Sequence, residues 1–321
     1  MLLCISHRGH AGDLTTKCFA KETERFVLCG LFDGQNGIES AEFASHFLKT
    51  YLVHNLKKLD LATGGHDEEG KIKKLLSNAF ASCQQHMLIS DKRHSFVKTS
   101  TTACVVLRVR QILYTAHCGD TMVHVVHEDN SSTPVTDAHT LRNTLEKINI
   151  IETGGWYSNG IICDKTHLTR GLGNLWQIRS LKWHKSNNLK HYDQSMQDWD
   201  LSRLSELLKE APPAWCIDCR PDVRTTHLGT SDAFVTLQTV GMQRALQDDT
   251  SFLRSDAPER AISKRIKEAQ SLPNVSNLAI IAIDCDREVG PEKHIGQKIC
   301  DENLETEDGR LPTVQRGEQA S

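Results

Sequence analysis

Three aspartates stand where a chain can aim carboxylates at a common point. Asp33 falls in Asp33-Gly34-Gln35-Asn36-Gly37, Asp120 closes His117-Cys118-Gly119-Asp120, and Asp232 sits in Ser231-Asp232-Ala233. Magnesium and manganese take oxygen ligands from a few carboxylates plus waters, so aspartates distant in sequence can share one ion when strand-end loops bring them together. Taken singly, each also reads as a turn residue, because Asp and Asn fold their side chains onto the local backbone. Cys216-Ile217-Asp218-Cys219 has the spacing of half a zinc site. No second pair lies at a suitable distance, and His184, His191 and His227 follow no ligand rhythm, so two ordinary thiols are expected.

The elements that must position these residues follow from the apolar periodicity. Arg25 to Phe32 is a short apolar run stopped by the Asp-Gly turn, which predicts a buried strand and then a loop. Phe43, Phe47, Leu48, Tyr51, Leu52 and Leu56 recur at helical intervals, as do Ile72, Leu75, Leu76, Ala79, Phe80, Cys83 and Met87. From Thr101 three β-branched segments run to about Asp129, predicting an antiparallel meander. A helix is expected over Thr136 to Ile151, a strand pair around Ile161 to Arg170, strands over Val223 to Leu237, a helix over Pro258 to Ser271 and a last buried strand at Leu278 to Ile283. Blocks of strands separated by blocks of helices favour an α+β sandwich of antiparallel sheets over a doubly wound parallel fold. The expected organisation is one domain over residues 1–286 with a polar surface insertion at about 175–214, then a disordered polar tail over 287–321. Little of a leading strand is expected before Arg8.

Composition narrows the partners. With 38 Lys+Arg against 41 Asp+Glu, a net charge of −3 supplies no global positive field for nucleic acid or an anionic membrane. The longest apolar runs are too short to cross a bilayer, so no membrane association is expected. The 11 cysteines follow no regular spacing, as expected of reduced thiols, and the first residues lack the pattern of a signal peptide. An intracellular location, cytoplasmic or nuclear, is the expectation.

Read in order, the motifs resemble the metal-dependent protein phosphatases of type 2C. The counterparts are Arg8-Gly-His-Ala-Gly12-Asp13, Asp33-Gly-Gln-Asn-Gly37, Thr101-Thr-Ala103, His117-Cys-Gly119-Asp120-Thr121-Met122, Gly154-Gly155, Thr169-Arg170-Gly-Leu-Gly173-Asn174, Pro221-Asp222-Val223, Ser231-Asp232-Ala233 and Ser276-Asn277. The resemblance spans about residues 4–284 in the correct order. It implies a four-layer sandwich of two antiparallel β-sheets flanked by helix pairs, and a two-metal centre that activates water against phosphoserine or phosphothreonine.

By the same resemblance, the departures are chemical. Asp33 and Gly34 retain the bridging carboxylate and carbonyl, and Asp232, Asp120 and Asp13 stand as further metal remnants. Gly12 replaces a glutamate ligand, and Ser276 replaces an aspartate ligand. Gln35 replaces the histidine that protonates the leaving group, and an amide is no general acid at neutral pH. Asn174, Ala233 and Met122 depart from the family's Asp, Gly and Arg. Arg8 keeps the phosphate-binding role, for which its planar fork suits a dianion. Each lost ligand or acid costs a factor on the order of 10²–10⁴, so the resemblance implies a catalytically inactive pseudophosphatase that acts by binding. Its expected partner is a protein, either phosphorylated or a kinase. No cofactor is expected to bind firmly, and weak magnesium or manganese is all that the remnants allow. Two other readings stay open. One is an active magnesium- or manganese-dependent serine/threonine phosphatase in which Asp13 substitutes for Gly12, or Asp284 for Ser276. The other is a single metal held by Asp33 and Asp232 for stability alone.

Overall fold

The computed structural model describes residues 2–7, 16–61, 66–90, 95–163, 165–175, 217–246, 249–255, 258–270 and 278–285. The expected insertion, apart from Leu175, and the expected tail lie outside the described residues.

Alternating apolar residues build the architecture. In β1 (Leu2–His7), β2 (Thr16–Glu22) and β3 (Val27–Gln35) the chain supplies the first strands. Along β3, Leu28 and Phe32 join one core cluster while Val27, Cys29 and Leu31 join another. Side chains alternate between the faces of a strand, so an unbroken apolar run is the mark of a strand buried on both sides. After β4 (Ser100–Thr101), β5 (Ala103–Val109) repeats this: Ala103, Val105 and Leu107 face one layer and Cys104 and Val106 the other. The later strands are β6 (Ile112–Cys118), β7 (Met122–His127), β8 (Ser132–Pro134), β9 (Tyr157–Ser158), β10 (Ile161–Ile162), β11 (Leu172–Gly173), β12 (Asp222–His227), β13 (Asp232–Gln238) and β14 (Leu278–Asp284).

Among the described residues one sheet runs in the order β1-β14-β13-β7-β8, and the other β11-β4-β3-β5-β6-β12 with β2 paired to β3. Neighbouring strands of both sheets pair antiparallel. The sheets share a core of Val27, Leu31, Val106, Val125, Leu237 and Ile281. Helices α1 (Glu39–Lys58) and α2 (His66–Ser90) cover the β3 sheet, with Phe47, Leu48, Leu52, Leu76 and Phe80 against it. The short α3 (Ser95–Lys98) and then α4 (Thr144–Glu152) follow in the chain. On the outer face of the β14 sheet, α5 (Val240–Leu246) and α6 (Pro258–Gln270) pack Met242, Leu246, Ile262 and Ile266 onto Leu278, Ile280 and Ala282. The result is the expected α+β four-layer sandwich.

Several local expectations change. The strand at Arg25 to Phe32 continues through Gln35, and the turn falls at Asn36 and Gly37, where φ reaches +59° and +145°. The meander is broken: β5 and β6 pair, but β7 crosses to the other sheet after Gly119-Asp120 and pairs with β13 and β8. The three segments look alike because strands of both sheets are buried on two faces, and periodicity carries no record of sheet membership. The helix expected from Thr136 begins only at Thr144, where Asn143 caps it by accepting the Leu145 N–H at 2.9 Å. The leading strand is also present, since β1 pairs with β14 over six residues from Leu2↔Ile283 to His7↔Leu278.

Candidate functional site

Three strand exits meet at one edge of the sandwich around a cleft of about 1240 Å³. From the exit of β3 come Asp33, Gly34, Gln35 and Asn36, from the β6–β7 crossing Asp120 and Met122, and from the exit of β13 Val240 at the start of α5. The crossing depends on Gly119. Its φ is +110°, and a Cβ there would lie 2.6 Å from the Thr102 side chain. A side chain at this position would be strained and would push the Asp120 loop off the strand end.

Hydroxyls tie the two aspartates into one frame. Thr16 Oγ1 donates to Asp33 Oδ1 at 3.1 Å, and the Asp33 N–H donates to Thr102 Oγ1 at 3.1 Å. Thr102 Oγ1 lies 2.8 Å from Thr121 Oγ1, next to Asp120. Burial pushes the Asp120 carboxyl above its ordinary range, opposed by the positive field of His167 and Arg244. Gln35 Oε1 accepts from Thr166 Oγ1 at 3.2 Å, so its amide is held in the wall of the cleft.

Asp232 is elsewhere. β13 runs antiparallel to β7 with Asp232 opposite His127 and Gln238 opposite Met122, and it is Met122 that lines the cleft. Six residue steps of about 3.3 Å put Asp232 about 20 Å from that end of the strand. There its Oδ1 lies 2.8 Å from His127 Nδ1, and its Oδ2 accepts the Gly229 N–H at 2.7 Å. The expectation that Asp33 and Asp232 share an ion is therefore corrected: Asp232 closes the turn that starts the strand. The residue that β13 delivers to the cleft is Val240, within Thr239-Val240-Gly241. This small-x-Gly triplet after an apolar strand is the signal that points to it, and it was overshadowed by the literal Ser231-Asp232 pair. Asp284 is corrected likewise as a substitute ligand. It pairs with Phe234 at the Asp232 end, whereas the other end of β14, Leu278, lies opposite His7.

Arg8, Gly12, Asp13 and Ser276 lie outside the described residues, in the segments that adjoin His7 and Leu278 in sequence. Cys216 lies outside them too. Two carboxylates, Asp33 and Asp120, reach the cleft among the described residues. No group of three or more His, Cys, Asp or Glu side chains there could hold a metal ion. A two-ion hydrolytic centre clamps both the attacking and the leaving oxygen and needs several carboxylates, so the described donors do not fit one.

Beneath the Gly119 crossing lies a polar framework. Glu146 is buried, accepts from Thr169 Oγ1 at 2.7 Å, and forms a forked pair with Arg170 at 2.6 and 3.0 Å. Arg170 also meets Asp222 Oδ1 at 2.9 Å. The Gly119 N–H donates to His139 Nδ1 at 3.2 Å, which leaves His139 Nε2 facing Asp222 Oδ2 at 3.4 Å. That contact, with Arg170 alongside, holds the Asp222 carboxyl well below the usual carboxylate range. His117 stacks on His139 with ring centroids 4.3 Å apart and donates from Nε2 to the Asp137 carbonyl at 2.9 Å. Burial, with His139 beside it, lowers the His117 pKa to about 4. Arg170, within the Thr169-Arg170 motif, is thus a structural residue.

Comparison with known proteins agrees with this geometry. A family model described as protein phosphatase 2C matches residues 6–276. Protein phosphatase 2C 1 of Paramecium tetraurelia is 25% identical over 228 residues, an alignment that covers 68% of this chain and 63% of that protein. The chain thus spans less than two-thirds of that relative's length. Among solved structures, a C. elegans sex-determining protein superposes with a TM-score of 0.64 at 16% identity, covering 91% of this chain and 65% of that one. An S. agalactiae serine/threonine phosphatase gives 0.57 at 14% identity, covering 88% and 98%. These two likenesses show the fold.

Proposed function

The chain belongs to the protein phosphatase 2C family, and from that premise we propose that it is a pseudophosphatase that works by binding a phosphorylated protein partner in the cleft. The observation that carries this reading is a cleft floor whose strand exits present Gln35 and Val240, neutral side chains, beside only two described carboxylates. An amide gives no proton to a leaving group, and an isopropyl group ligates nothing. Gly12 and Ser276 extend the same pattern in the sequence. Residues 1–286 make up the phosphatase-like domain in this reading.

The test is hydrolysis of a phosphothreonine peptide in millimolar manganese by the wild-type chain and by the variant Gly12→Glu, Gln35→His, Val240→Asp, Ser276→Asp. Silence of the wild type with turnover by the variant is the expected result. Turnover by the wild type that Asp33→Ala abolishes would overturn the reading.

A further inference from the structure

Among the described arginines, those within the framework and those on the cleft differ in how they are used. Arg108, Arg110, Arg170, Arg220 and Arg224 all spend their guanidinium groups on carboxylates or carbonyls within the chain. Arg142 and Arg244 line the cleft with exposed side chains, and Arg244 acts through its charge on the Asp120 carboxyl. Lys165 and His167 line the same cleft. Among the described residues, Arg142, Lys165 and Arg244 line this space together with two carboxylates, Asp33 and Asp120, and it has room for more than a single anion. Such a wall is an anion-binding surface: guanidinium groups fork onto phosphate oxygens, and an ammonium adds a point charge.

Resting on the pseudophosphatase reading, we infer that this cleft holds a phosphomonoester on a peptide directly, with Arg142, Lys165 and Arg244 supplying the positive charge and no divalent ion required. The site is carried by the juxtaposition of the three cations in one cleft. Gln35, Asn36, Thr140, Thr166 and Gln243 border the same space and offer amides and hydroxyls to the peptide flanking the phosphate. The volume of about 1240 Å³ exceeds what one phosphate fills, which favours a phosphorylated chain segment over free phosphate.

The experiment is fluorescence anisotropy of a labelled phosphothreonine peptide with the full chain, in excess EDTA and in millimolar manganese, with phosphate release read from the same samples. Binding that is equal in both buffers, absent for the unphosphorylated peptide, and weakened about tenfold by Arg244→Ala or Arg142→Ala is the expected result. Asp33→Asn should raise the affinity, since it removes a like charge from an anion site. Binding that appears only with manganese, or that Asp33→Asn abolishes, would show an ion-held phosphate and overturn the inference. A phosphopeptide that binds no tighter than inorganic phosphate, or that fails to bind, overturns it as well, and leaves the absence of turnover standing by itself. Phosphate release by the wild type is the separate outcome that removes the pseudophosphatase reading beneath it.

Discussion

The cleft floor and the polar framework beneath Gly119 adjoin each other, yet their polar groups are satisfied in opposite ways. In the framework, Arg170 pairs with both Glu146 and Asp222 and His139 faces Asp222, so the guanidinium and the carboxylates meet opposite charge inside the protein. On the cleft wall, Arg142 and Arg244 face solvent, and Val240 and Met122 contribute no polar partner at all. The difference teaches that the residues which hold the fold and the residues which line the cleft answer to separate physical demands. A buried ion network cannot lose a member without leaving an uncompensated charge. A solvent-filled cleft can lose a ligand with little effect on stability, because water replaces it.

Four measurements would break or sharpen that contrast. The largest effect is expected from Arg170→Ala, which strands the buried Glu146 carboxylate and should cost about 3–5 kcal/mol in urea unfolding. A loss under about 1 kcal/mol would place the framework on the same footing as the cleft. Next is acid sensitivity. The unfolded His117 takes a proton near its ordinary 6.5 while the folded one resists until about 4, so its contribution is full above pH 6.5 and falls away toward pH 4. About 3 kcal/mol should disappear across that window, and His117→Gln should flatten the curve there. Asp222, with its depressed carboxyl, contributes above its ordinary value near 3.9 and loses that contribution only at lower pH, so it does not blur the His117 window. Third, Gly119→Ala joins the two regions. Strain at φ +110° and the approach of Thr102 should destabilise the fold by about 1–3 kcal/mol. The smallest effect is expected in the cleft itself, where Arg142→Ala should change unfolding free energy by less than about 0.5 kcal/mol. A large loss there would mean that the cation is structural.

Much of the layered architecture was legible because it is written in local periodicity. Arg25 to Phe32 and Leu278 to Ile283 read as buried strands, the segments from Thr101 as further strands, and Phe47, Leu52, Leu76 and Phe80 as helix faces, since burial repeats every two or about 3.6 residues. Asp33 and Asp120 were legible as strand-end residues, because a turn at the end of an apolar run marks where a strand leaves its sheet, whereas Gln35 was singled out only by the family resemblance. Asp232 and Asp284 were misplaced for one reason. A strand has two ends, and composition does not say which of them points toward the cleft. Arg142, Lys165 and Arg244 went unnoticed because they are far apart in sequence and sit on polar stretches that resemble any exposed surface.

The sequence by itself determined most of the element types, the burial of the strands at Arg25 to Phe32 and Leu278 to Ile283, and the neutral amide at Gln35. Each depends only on a residue's own chemistry or on neighbours a few positions away. Only the tertiary structure decided that β7 belongs to the second sheet, that β13 brings Val240 rather than Asp232 to the cleft, and that Arg142 and Arg244 line one wall. Those facts depend on strand direction and register, which hydrogen bonds between segments more than a hundred residues apart set together.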